Sequence, residues 1–110
     1  MEWPHPREHY RILYPTSVRP RLISGEYERD VVDVSEQGMR VRLAENEMME
    51  AGEPVEGIIR FRRGPDVKVA GTVVRVEGRD AAVHLDAGVP LKIIIEEQRY
   101  LREFHRGSAW

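Results

Sequence analysis

From Val18 onward the chain alternates apolar and polar residues in short runs broken by turn-forming residues. Met39-Arg40-Val41-Arg42-Leu43 shows the pattern most plainly. A period of two puts its apolar side chains on one face and its arginines on the other, as in a half-buried strand. The same reading predicts strands over Val18–Ser24, Glu26–Val34, Val55–Arg62, Lys68–Val76 and Ala81–Leu85. Turns are predicted at Arg63-Gly64-Pro65-Asp66 and Glu77-Gly78-Arg79-Asp80. Glu45–Ala51 reads as one helical turn. About six strands spaced so closely leave no room for helical crossovers between most of them, which argues for an antiparallel barrel or sandwich.

After Pro90 the period changes. Leu91, Ile94, Ile95, Gln98, Leu101 and His105 follow helical spacing, and Phe104 flanks that face. Pro90 suits the first helical position and Gly107 a stop. The result is a helix of about four turns whose apolar stripe is expected to cover one mouth of the barrel.

Composition narrows the chemistry. With 110 residues the chain fits one domain. Having no cysteine, it has no disulfide, thiolate nucleophile or Cys-ligated metal. Apolar runs such as Ile93-Ile94-Ile95 fall far short of the roughly 20 residues of a membrane span. The polar, proline-broken start Met1-Glu2-Trp3-Pro4-His5-Pro6 lacks a secretory pattern, so the expected location is cytoplasmic. A net charge of -2 argues against a general coat for DNA or RNA. Of the 17 cationic side chains, all but Lys68 and Lys92 are arginine, a planar fork suited to phosphate. Their placement is uneven: Arg7–Gly25 holds Arg7, Arg11, Arg19 and Arg21 against one acid, Glu8, whereas Glu45–Glu56 holds five glutamates and no base.

Enzymatic constellations are absent. His5, His9, His84 and His105 lack metal-ligand spacing with one another, and Ser17, Ser24, Ser35 and Ser108 lack a nucleophile-elbow context. The expectation is a binding module with no catalytic residue, no metal and no cofactor. A barrel for single-stranded nucleic acid would interleave aromatic and basic residues on its strands. Here aromatics are 7% of the chain, and the strands from Arg40 to Leu85 contribute only Phe61.

Two patterns remain. In Arg7-Glu8-His9-Tyr10-Arg11, two guanidiniums stand four residues apart among Pro4, Pro6 and Pro15, which favours a flexible arm over 1–15 able to close on an anion. In Asp33-Val34-Ser35-Glu36-Gln37-Gly38, between two strands, Asp33 and Ser35 can cap a tight turn and Gly38 can adopt positive φ. The same turn can instead present Asp33 to the guanine edge, whose N1 and N2 donate hydrogen bonds.

Arg-x-x-x-Arg followed by Asp-x-Ser-x-x-Gly resembles the PilZ domain family of bacterial cyclic di-GMP receptors. Tyr10-Arg11-Ile12, Gly71-Thr72-Val73-Val74-Arg75-Val76, Ala82-Val83-His84-Leu85 and the trailing helix extend the likeness from Arg7 to Phe104. The resemblance implies a mostly β fold: a six-stranded antiparallel barrel of split or Greek-key type with a C-terminal α-helix, spanning 16–106 behind the arm. It implies cyclic di-GMP as ligand, with Arg7 and Arg11 gripping phosphates and guanines, Asp33 and Ser35 reading a guanine edge, and Gly38 allowing the turn. Arg75 is a further candidate, standing where many relatives carry an aromatic. A second reading is a PilZ-like protein–protein interaction module that binds no nucleotide. On the first, ligand binding rearranges the arm and relays the signal to a downstream protein.

Overall fold

The structure is a computed structural model that describes residues 11–107. Its seven strands are β1 (Ile12–Leu13), β2 (Arg21–Ser24), β3 (Tyr27–Ser35), β4 (Gly38–Arg42), β5 (Pro54–Arg60), β6 (Asp66–Glu77) and β7 (Asp80–Ala87). One helix, α1 (Leu91–Gly107), follows them. Six strands run β3–β2–β5–β6–β7–β4, and a β3–β4 pairing closes the ring. Every pairing is antiparallel. This is the six-stranded barrel with a C-terminal helix that the family resemblance implies, and it decides between the barrel and the sandwich that periodicity left open. The seventh strand, β1, was not foreseen; it is two residues long and pairs with the end of β3, Ile12 opposite Val34 and Leu13 opposite Asp33.

Alternation fills the barrel. Met39 and Val41 of β4 point inward with Ala81, Val83 and Leu85 of β7 and Val69 and Val73 of β6, all buried. The partners Arg40 and Arg42 stand on the outer wall. Three bulges break the registers. Val32 is the extra residue of β3 against β4, Val74 of β6 against β7, and Asp86 of β7 against β6. A bulge bends its strand and moves all later side chains to the opposite face, the curvature a small closed barrel requires. Because of Val32, Val34 enters the core and Asp33 and Ser35 face outward.

Local departures from the predicted elements have simple causes. β2 starts at Arg21 because Thr16–Val18 forms one 3-10 turn, with Val18 N–H donating to Pro15 O at 3.0 Å. Glu45–Ala51 is not helical. Glutamate side chains close two turns there: Ala44 N–H donates to Glu47 Oε1 at 3.0 Å and Glu50 N–H to Glu53 Oε2 at 3.1 Å. Such local bonds compete with a helix for the same donors. Pro90 stands one residue before α1, its carbonyl accepting from Ile93 at 2.9 Å.

The arm expected over 1–15 lies outside the described residues up to Tyr10. Its described end is tied to the barrel: Ile12 and Tyr14 are each 3% exposed, and β1 packs against α1. Helix α1 contributes Ile93 and Ile94 to the core. It also brings Glu97, 3% exposed, to the Tyr14 hydroxyl, which donates to Glu97 Oε1 at 2.6 Å. Burial raises the Glu97 pKa above the ordinary glutamate range, against the Tyr14 hydrogen bond and Arg63, which lower it. Burial, then the bond to Glu97, also pushes the Tyr14 hydroxyl upward, so it remains a donor.

A carboxyl whose pKa is higher folded than unfolded contributes stability below the unfolded value and loses it as pH rises through the folded one. Wild type should therefore lose more stability than Glu97→Gln as pH rises above the ordinary glutamate value of about 4. Tyr14→Phe leaves the carboxyl without its donor and should cost about 1–3 kcal/mol. Thermal melts across pH check both; parallel wild-type and Glu97→Gln profiles would show that Glu97 is not the titrating group.

Candidate functional site

The outer wall of β3, β4, β7 and β6 gathers cations over one buried acid. Asp33, 0% exposed, stands directly opposite Arg40 in the β3–β4 register. Arg40 donates to Asp33 Oδ2 from Nε at 2.9 Å and from Nη2 at 2.7 Å. Arg11, carried just ahead of β1, donates from Nη1 to Asp33 Oδ1 at 2.9 Å. The bonds to Asp33 raise the pKa of Arg40 above the usual guanidinium value. Two guanidiniums therefore occupy both oxygens of one carboxylate, a charge-assisted arrangement of fixed geometry.

Beside this triad lies a groove of about 350 Å³, lined by Arg11, Gly38, Arg40, Arg75 and His84 among others. Arg75 and His84 reach it from the neighbouring strands, since Gly38 is opposite His84 and Arg40 opposite Ala82, which faces Arg75. Arg11 and Arg75 are more than half exposed, so their remaining N–H groups can meet an incoming anion. Of the acids nearby, Glu77 accepts from Arg75 Nε at 3.1 Å, and the exposed Asp86 lies 3.7 Å from His84 Nε2. A larger hollow of about 590 Å³ lies over β2, β5 and β6, lined by Ile23, Ile58 and Val69. Lys68 is the only base among the described residues lining it, without the convergent cations of the outer-wall groove.

The structure thus brings Arg11, Asp33, Gly38 and Arg75 together. Arg7 lies outside the described residues. Ser35, 4% exposed, shares the outer face with Asp33 and directs its hydroxyl to Gly38 O at 3.4 Å, at the long limit for a hydrogen bond. Two expectations change. Asp33 is part of β3 and anchors an ion pair rather than capping a turn. Gly38 opens β4 without positive φ, because the reversal is made by Glu36 and Gln37. A Cβ at Gly38 would meet Val83 O at 3.4 Å, an ordinary contact, so the backbone there leaves room for one.

Sequence reasoning missed Arg40 and His84 as site residues. Alternation places both on the outer faces of their strands, but only the β3–β4 and β4–β7 registers set them beside Asp33 and Gly38.

Fold and site together define a small β-barrel domain that carries its cationic groove on the outer wall instead of in the lumen. The chain belongs to the PilZ domain family, which it matches over residues 5–105. Among solved structures it resembles the crystal structure of an uncharacterized Legionella protein, with a TM-score of 0.60 at 12% identity, covering 88% of this chain and 98% of that one. At that identity the likeness is one of fold. No curated protein matches the chain. No described helix is long and apolar enough to cross a membrane.

Proposed function

We propose that this PilZ domain is a receptor for cyclic di-GMP with no catalytic activity. The observation that carries the reading is the Arg11–Asp33–Arg40 cluster beside an arginine-lined groove. The ligand is a dianion with two purines. It calls for forked cations toward phosphate, a flat cation over a π-face, and an acceptor for the guanine edge. Arg11, together with Arg7 four residues ahead of it, supplies the forks. Arg75 offers the planar cation, and Asp33 with Ser35 the guanine-reading groups. Ligand that draws Arg11 away from Asp33 also pulls on β1, and through Tyr14 and Glu97 on α1, a path by which a downstream protein can sense occupancy.

Titration calorimetry tests the reading. Wild type should bind cyclic di-GMP and take up GMP and GTP far more weakly, since a mononucleotide carries one purine and cannot offer Asp33 and Arg75 a base each. Arg7→Ala and Arg11→Ala should each lose about 10- to 100-fold in affinity, the worth of one charge-assisted contact. No binding at about tens of micromolar protein would overturn the receptor reading in favour of an interaction module.

A further inference from the structure

Asp33 cannot read a guanine in the arrangement described, because it is fully buried beneath two guanidiniums. Those two are not equivalent. Arg40 is fixed on β4, 34% exposed, and makes two bonds to Oδ2. Arg11 is 55% exposed, lies outside the strands, and reaches Asp33 through one bond, from Nη1 to Oδ1. A single bond from a solvated side chain exchanges more readily than a bidentate one from a strand.

Resting on the receptor reading above, we propose that Arg40 is a positioning residue for guanine selectivity: its clamp on Oδ2 holds the Asp33 carboxylate so that Oδ1, occupied by Arg11 without ligand, passes to the guanine edge when nucleotide binds. Arg11 is then a stand-in for the base, and its release makes the same guanidinium available to phosphate. Exchange of one donor for another keeps Asp33 satisfied in both states, so the buried carboxylate is never left bare. Without Arg40 the carboxylate is free to rotate about its own side-chain torsion, and Arg11 alone competes for both oxygens.

The test compares cyclic di-GMP with cyclic di-IMP, which lacks the exocyclic N2 amino group, by calorimetry on wild type, Arg40→Ala and Arg40→Lys. Wild type should prefer the guanine ligand by about 10- to 100-fold, the worth of one hydrogen bond to a charged group. Arg40→Ala should bring that preference to within about 3-fold, and Arg40→Lys, with a single donor for Oδ2, should recover part of it. A role for Arg40 in phosphate binding or folding alone would lower both affinities by the same factor and leave the ratio intact, which would overturn the proposal. A second measurement needs no variant. In wild type the Arg40 Nε–H resonance should persist when cyclic di-GMP is added while that of Arg11 shifts; loss of the Arg40 signal on binding would equally overturn it. Failure of wild type to bind cyclic di-GMP would instead remove the receptor reading, a distinct result.

Discussion

Asp33→Ala should weaken cyclic di-GMP binding by about 100-fold or more and lower the melting temperature at the same time. The affinity term follows from the loss of an acceptor for two guanine donors, each hydrogen bond to a charged group being worth about 1.5–3 kcal/mol. The stability term follows from the ligand-free structure. Removing the carboxylate takes away the acceptor of three arginine hydrogen bonds and sets Arg11 and Arg40 beside each other unneutralised. Breaking a deeply buried pair in this way costs about 3–5 kcal/mol, but both arginines here reach solvent and can rehydrate, so about 1–3 kcal/mol is expected. In a domain of this size that is a fall on the order of 5–15 °C. Calorimetry with and without nucleotide separates the two terms. An unchanged melting point would show that the ion cluster is not structural, and unchanged affinity would exclude Asp33 from the ligand contact.

Gly71→Ala should be the most destabilising small substitution in the barrel. A Cβ at Gly71 would lie 1.9 Å from His84 O, 2.8 Å from His84 C and 2.9 Å from Leu85 Cα, all backbone of β7. No side chain can turn aside to make room, so β6 and β7 must separate where Leu85 enters the core. Overpacking usually costs about 1–3 kcal/mol, and a clash with backbone should reach or pass the upper figure. Against a typical total of about 5–15 kcal/mol, this removes a large share of the stability. His84 lines the groove, so the surviving folded fraction should also bind cyclic di-GMP more weakly. Gly78→Ala is the comparison: φ is 62° there but nothing lies within 4 Å of the added Cβ, so only the backbone term of about 1 kcal/mol applies. Equal melting points for the two variants would show that the β6–β7 approach is looser than described.

Strand identity and the outward path of the arginines were legible in the sequence because both depend on a period of two. Met39, Val41, Val83 and Leu85 had to turn one way and Arg40, Arg42 and His84 the other, whatever the fold. The change of period after Pro90 likewise marked α1, and the two spaced motifs pointed to the family. The turn expected at Asp33 could not be corrected from local pattern, because a bulge is a property of two strands: Val32 becomes the extra residue only when β3 is laid against β4. That one residue moves Asp33 out of the lumen and sets it opposite Arg40. The two-residue β1 was invisible for a similar reason, since so short a segment has no period of its own and is held by the free edge of β3 beyond the end of β2. Nothing in the helical spacing of α1 sets Glu97 apart from the charged residues around it. Its burial follows from the docking of α1 against β1, where the Tyr14 hydroxyl supplies the hydrogen bond that a buried carboxyl requires. What a sequence states alone is which side chains share a face; which faces meet, and so which charges become neighbours, is decided by register and packing between segments far apart in the chain.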